Sequence, residues 1–207
     1  MDEIRAEQDA GAAIFGIVQG GDDVRLRKRS AESTVAIGFD GYGIGGLSVG
    51  EPPDVRTEAL DTALEMLPRN LPRYLMGVGD PVGLLEAISS GVDMFDCVLP
   101  TRLARHGTLL TDEGKVHLKR AEFARDSSPI DRLCGCKVCS RWSRAYLRHL
   151  LMVGDPTFQR LASIHNLYWM FDLLARARSA ISSGNLTHLI SGMKEAFLSA
   201  EPISDEP

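Results

Sequence analysis

Three cysteines within six residues, Cys134-Gly135-Cys136-Lys137-Val138-Cys139, form the densest chemical signal in the sequence. The spacing C-x-C-x2-C supplies three thiolates, enough for three corners of a tetrahedral zinc site. In a chain of cytosolic character, cysteines this close favour a metal over disulfides. A fourth ligand is needed. The remaining cysteine, Cys97, lies far upstream, and the downstream histidines are His149, His165 and His188. His165 falls in Ile164-His165-Asn166-Leu167, on an otherwise apolar helical segment. A lone histidine there is ordinarily a hydrogen-bonded core residue. Three thiolates short of a ligand tilt the reading toward His165. Three cysteines and a histidine close the coordination sphere, so such a zinc would be structural rather than catalytic.

A second constellation is Asp93-Met94-Phe95-Asp96-Cys97-Val98-Leu99-Pro100-Thr101-Arg102. Strand alternation would send Asp93 and Asp96 in opposite directions. Asp96 lies among Phe95, Cys97 and Val98, where an unpaired carboxylate would be costly. It is either a hydrogen-bonded structural cap, the commoner case, or a carboxylate held for chemistry. In the second case it could attack a sugar carbon, as the nucleophile of a retaining glycosidase does. Arg102 and Arg105 follow at once. They could hold phosphates beside it or simply belong to a basic loop.

Elements able to position these groups are visible upstream. Four short apolar segments, Ala13–Val18, Tyr42–Leu47, Arg73–Val78 and Met94–Leu99, are bounded by glycine or proline and read as buried strands. Helical segments Val24–Ile37, Pro53–Leu67 and Pro81–Ile88 lie between them, with Pro53 suited to a first turn and Gly91 to a stop. The order β-α-β-α-β-α-β predicts parallel strands joined by right-handed crossovers. Gln19-Gly20-Gly21, Gly45-Gly46, Gly77-Val78-Gly79 and Asp96 collect at the C-terminal strand ends, where parallel α/β folds place ligands. Any one of these glycines could equally serve a tight turn.

After residue 100 the character changes. Thr108–Leu118 reads as a hairpin turning at Asp112-Glu113-Gly114. Helices are expected over Ser140–Leu150, Pro156–Ser182 and Asn185–Leu198, followed by a disordered EPISDEP tail. In the long helix, Leu161, Ile164, Leu167, Tyr168, Phe171 and Leu174 follow the three-four spacing of a packed face.

With 207 residues, 44% hydrophobic and 25% charged, the composition excludes disordered, collagenous and disulfide-scaffold classes. The apolar runs are too short to span a bilayer. The acidic start MDEIRAEQDAGAA is unlike a signal peptide, so the expected compartment is the cytoplasm, with no membrane partner. The net charge of −5 conceals a balance of +6 over residues 101–150, which suggests an anionic partner if it is not an ordinary solvated face.

GIVQGG at 16–21, GYGIGGLSVGEP at 41–52, PRYLMGVGDP at 72–81, GVDMFDCVLPTRLARHG at 91–107 and CGCKVC with a later IHNL closely resemble, in order, the bacterial tRNA-guanine transglycosylases. The resemblance implies a TIM (β/α)8 barrel with a zinc-binding subdomain and C-terminal helices, of which this chain would hold the last four β/α units. It implies residues 1–104 as half-barrel, 105–166 as hairpin and zinc subdomain, and 167–207 as closing helices and tail. It also implies exchange of the anticodon wobble guanine of tRNA for 7-aminomethyl-7-deazaguanine, in queuosine biosynthesis, through a covalent aspartyl-ribose intermediate. Asp96 matches the nucleophile. Gln19, Gly46, Leu47, Glu51 and Met76 match residues around the base, and Val49 matches the bacterial form of that pocket. Arg102 and Arg105 match residues near the tRNA backbone. Cys134, Cys136, Cys139 and His165 match the ligands of one structural Zn2+.

A complete barrel takes about 250 residues, so the family's N-terminal half, with its general base and a further base-reading aspartate, is expected to be missing. The chain alone is expected to be inactive or weakly active unless a complementing N-terminal fragment or a second copy, as in a homodimer, closes the barrel. The alternative is a non-catalytic zinc-containing tRNA-binding or partner subunit. A zinc-dependent hydrolase is disfavoured by the closed ligand set.

Overall fold

The computed structural model describes residues 12–47 and 52–198. The chain divides into two units, residues 1–79 with 86–97 and residues 80–85 with 98–207.

In the first unit, β1 (Phe15–Val18), β2 (Gly41–Ile44), β3 (Arg73–Leu75) and β4 (Met94–Phe95) form a parallel sheet in that order. The registers are Phe15↔Gly41, Tyr42↔Arg73 and Tyr74↔Met94. Helices α1 (Val24–Ile37) and α2 (Pro53–Met66) fill the first two crossovers. The third holds α3 (Pro81–Ser90), whose leading residues group with the second unit. Helix α1 starts where the Asp23 carboxylate accepts the Arg25 and Leu26 amides, and it stops at Gly38. Val18, Ala31, Tyr42, Ile44, Leu60, Ala63, Leu75 and Val92 build this unit's core. Each buried side chain of Leu or Ile size contributes about 1.5–3 kcal/mol.

The expected β/α order is therefore present, with shorter strands. Met94–Leu99, expected as one buried strand, ends at Phe95, and Asp96 is exposed beyond it. Asp93 and Asp96 do part company. Asp93 Oδ2 accepts the Arg73 amide at 2.9 Å, latching β4 to β3, while Asp96 bonds elsewhere. Among the described residues the sheet is open, with β1 and β4 as edges, and Ile17 and Met94 are 49% and 45% exposed.

The second unit contains α4 (Leu99–His106), the antiparallel hairpin β5 (Thr108–Thr111) and β6 (Gly114–His117), a 3-10 turn (Ala121–Arg125), α5 (Arg144–Met152), α6 (Pro156–Ser183) and α7 (Leu186–Leu198). The segment around Arg102 and Arg105 is thus a helix rather than a basic loop, with Pro100 in its first turn and Gly107 closing it. The helix expected from Ser140 begins at Arg144, because the Ser143 hydroxyl accepts the Tyr146 amide at 3.2 Å as its cap. Leu109, Leu118, Ile130, Val138, Leu147, Phe158 and Ala162 form the core.

Helix α6 corrects the expected packed face. Ile164, Leu167, Tyr168 and Phe171 are 38–67% exposed. The buried side is Phe158, Ala162, His165, Asn166, Trp169, Leu173 and Ala177. Burying His165 and Asn166 is tolerable because both are bonded, and their bonds fix which face turns inward. Among the described residues no helix is long and apolar enough to cross a membrane. The EPISDEP tail lies outside the described residues.

Candidate active site and metal centre

Parallel pairing puts the exits of all four strands of the first unit on one edge. Asp96 follows β4 there. Its Oδ1 accepts the Tyr74 hydroxyl at 2.6 Å and the Gly77 amide at 2.9 Å. The tyrosine hydroxyl, then the amide, hold the Asp96 carboxyl below the usual carboxylate range. The same bond raises Tyr74, keeping it a protonated donor. Asp96 is therefore an ionised, oriented carboxylate at an open edge.

Gln19 follows β1, with its backbone amide on Ser30 Oγ at 3.1 Å. Its side-chain amide lies against the turn after β2. A Cβ on Gly45 would stand 2.5 Å from Gln19 Nε2, and one on Gly46 would stand 2.9 Å from Oε1. Gly46 has φ +68°, a conformation suited to glycine. This close approach requires both glycines. Met76, after β3, is half-buried, with its sulfur 3.6 Å from a Cβ built on Gly43. The Leu47 side chain is fully buried in the core, which leaves its backbone for any contact with a ligand. Gln19, Gly46, Met76 and Asp96 thus share the edge that the sequence pattern indicated. Glu51 and Val49 lie outside the described residues. Arg102 and Arg105 are exposed on α4 of the second unit, three positions apart and so on one face.

Sequence reading missed Tyr74 and Arg27. The first is the partner of Asp96. The second is a fully buried arginine that donates to the Gly21 and Gly45 carbonyls. The register that brings Tyr74 within reach of Asp96 pairs Tyr74 with Met94 and belongs to the folded sheet. Nothing in the sequence distinguishes Arg27 from its neighbours Arg25 and Arg29.

In the second unit, Cys134, Cys136, Cys139 and His165 converge, with all ligand atoms within 4.8 Å of one another. His165 Nδ1 lies 3.7, 3.5 and 3.4 Å from the three sulfurs in turn. Tetrahedral zinc with Zn–S of about 2.3 Å and Zn–N of about 2.05 Å requires N···S separations of roughly 3.6 Å. The other ring nitrogen, Nε2, is 2.8 Å from the Leu110 carbonyl, which can only accept. Nε2 therefore carries a proton, and Nδ1, which faces the sulfurs, is the nitrogen that could ligate a metal, as in the usual outer-shell arrangement of a metal-binding histidine. Hydrogen bonding from Cys139 lowers Cys136 to about 3 and raises Cys139. Burial opposes charge on His165, but the sulfurs outweigh it and raise it to about 9. Such a cluster attracts a cation, and the donor set and spacing fit zinc. His149 and His188 are exposed and outside the cluster.

The ligand loop is braced by Asp131, which accepts the Leu133 and Asp112 amides at 2.8 and 3.1 Å. Arg144 donates to the Ile130 carbonyl at 2.7 Å. Neighbouring Asn166 accepts the Leu110 amide at 3.0 Å and donates to the Pro100 and Thr108 carbonyls at 2.9 and 3.1 Å.

A model of the family described as queuine tRNA-ribosyltransferase matches residues 1–199. The chain belongs to the queuine tRNA-ribosyltransferase family. It is 47% identical over 198 residues to the queuine tRNA-ribosyltransferase of Moorella thermoacetica, covering 96% of this chain and 53% of that protein. It is 50% identical over 186 residues to that of Symbiobacterium thermophilum, covering 90% and 46%. It is 52% identical over 174 residues to that of Thermoanaerobacter sp., covering 84% and 46%. The chain spans about half the length of these curated relatives. The family is of TIM-barrel type, and the described strands supply four parallel members of such a sheet.

Proposed function

We propose that this chain is the nucleophile-bearing half of a tRNA-guanine transglycosylase that places 7-aminomethyl-7-deazaguanine at the wobble position of tRNA, in queuosine biosynthesis. The observation that carries the reading is the Asp96 carboxylate, held ionised by Tyr74 and Gly77 on the strand edge that also bears Gln19, Gly46 and Met76. Neither bond engages Asp96 Oδ2. In the proposed reaction this oxygen attacks C1′ of the wobble ribose while the C1′–N9 bond breaks. Guanine leaves with the bonding electron pair and takes up a proton at nitrogen. The incoming base then loses a proton from N9 and attacks C1′, releasing the aspartate. Two inversions retain the sugar configuration, and protons balance over the cycle.

The Gln19 amide can donate and accept, as reading a purine edge requires. Gly46 and Leu47 offer backbone groups to the base, Met76 a face to stack on, and Glu51 a carboxylate for the aminomethyl arm. Arg102 and Arg105 offer guanidinium groups for tRNA phosphates. The +6 balance of residues 101–150 supports an RNA partner. One zinc, held by Cys134, Cys136, Cys139 and His165, would supply structure rather than chemistry, since its four protein ligands leave no open position.

Closure of the barrel would come from an N-terminal complement, and the family's homodimer is the proposed assembly, acting in the cytoplasm. The test is incorporation of labelled guanine into a cognate tRNA, with the N-terminal half supplied and omitted. Incorporation that Asp96→Asn abolishes is expected. Absence of incorporation with the complement present overturns the catalytic reading. The +6 balance of residues 101–150 also suits one second reading, a zinc-containing tRNA-binding subunit. It predicts tRNA retention in a gel shift without exchange.

A further inference from the structure

Arg27 sits one turn into α1 and is 0% exposed. Removing a guanidinium from water is costly unless its donors meet acceptors. Here Nε donates to the Gly21 carbonyl at 3.0 Å, and Nη2 donates to the same oxygen. Nη1 and Nη2 reach the Gly45 carbonyl at 3.2 and 3.3 Å. One rigid, permanently charged fork thus ties the turn after β1 to the turn after β2. These are the turns that carry Gln19 and Gly46. The approach is tight, because a Cβ on Gly20 would stand 2.6 Å from the Arg27 backbone nitrogen.

We propose that Arg27 is a positioning residue for base recognition, aligning the Gln19 side chain with the Gly46 N–H by anchoring the carbonyls of Gly21 and Gly45. The inference rests on the transglycosylase reading and adds to it a residue that touches neither base nor ribose. Two physical effects follow from the geometry. The Gly45–Gly46 peptide is trans, so fixing its carbonyl toward Arg27 directs the Gly46 N–H to the opposite side. The guanidinium also polarises that peptide, which strengthens Gly46 N–H as a donor. A departing guanine accumulates negative charge on its ring, and a preorganised, strengthened donor favours that state.

The test uses Arg27→Lys and Arg27→Ala in the polypeptide at its natural length, with guanine exchange into tRNA as the readout. Lysine keeps the charge but cannot bridge both carbonyls. The expected result is a rise of at least tenfold in KM for guanine in both variants, with KM for tRNA within twofold. Added guanidinium at low millimolar concentration should restore at least threefold of the loss in Arg27→Ala and nothing in the wild type. Zinc content and a cooperative melting transition report folding. A guanine KM within twofold of wild type in both folded variants overturns the assignment and leaves the enzyme reading intact. Loss of the melting transition in both variants overturns it in favour of a purely structural arginine. A wild-type protein that neither exchanges nor binds guanine overturns the transglycosylase reading itself, and this inference with it.

Discussion

Replacing Tyr74 by phenylalanine removes one oxygen and little else, and the structure says what that oxygen does. It donates at 2.6 Å to Asp96 Oδ1, alongside the Gly77 amide. A hydrogen bond to a charged group contributes about 1.5–3 kcal/mol. Asp96 is exposed, and solvent screening cuts that to about 1 kcal/mol. For the nucleophile proposed here, one kcal/mol lost is roughly a fivefold fall in kcat/KM at neutral pH. The sign with pH follows from the cause. Tyr74 is the largest influence holding the Asp96 carboxyl below its ordinary value. Without it the carboxyl moves up, so the acid limb of kcat/KM moves to higher pH. The small stability from this bond is present above the unfolded carboxyl's pKa and is lost as pH falls through the folded one. The assay is guanine exchange as a function of pH for wild type and Tyr74→Phe. An acid limb that stays in place, or moves to lower pH, refutes the assignment of Asp96 as the titrating nucleophile.

Other perturbations reach different parts of the molecule. Freshly purified protein should contain about one zinc per chain by elemental analysis, and Cys136→Ser should remove it; metal-free wild type would refute the centre. Asn166→Ala strands the Leu110 amide and the Pro100 and Thr108 carbonyls, so urea unfolding should show a loss of about 3 kcal/mol, and a loss under about 1 kcal/mol would contradict the bonding described. Gly46→Ala forces φ +68° on a Cβ that would meet Gln19 Oε1 at 2.9 Å, so the KM for guanine should rise at least tenfold while the zinc content stays unchanged.

Much of the first unit was legible because its signals are local. Asp23 and Gly38 bracket α1, and glycine or proline punctuates each strand. Where reading failed, the deciding force acts between distant residues. β4 was read too long because Asp96 looks like a strand residue until Tyr74 and Gly77 are seen to take its carboxylate. On α6 the apolar Ile164, Leu167, Tyr168 and Phe171 stay exposed, while the side that packs holds His165 and Asn166. Periodicity could not reveal that His165 and Asn166 bond to β5 and turn their own face inward. Helix α4 escaped notice because LPTRLARH is basic and proline-containing, although proline suits a first helical turn. Choosing His165 among three histidines was possible from chemistry, but the tautomer that makes Nδ1 the ligand depends on the Leu110 carbonyl.

Leu110 has both backbone polar groups engaged by successive residues of one helix, its amide by Asn166 and its carbonyl by His165. Isolated two-stranded hairpins are marginal in water, so β5–β6 depends on α6 for its order. The metal centre depends on the same residue, because the carbonyl of Leu110 sets which histidine nitrogen is free to ligate. With a metal held at that cluster, hairpin docking and cation capture would be one cooperative event rather than two. In hydrogen exchange, the Leu110 amide becomes a reporter of metal occupancy: chelation should strip its protection at the rate the ion departs. During folding, a chain whose hairpin has not yet docked holds three thiolates without a committed fourth ligand, the state in which it is most open to oxidation.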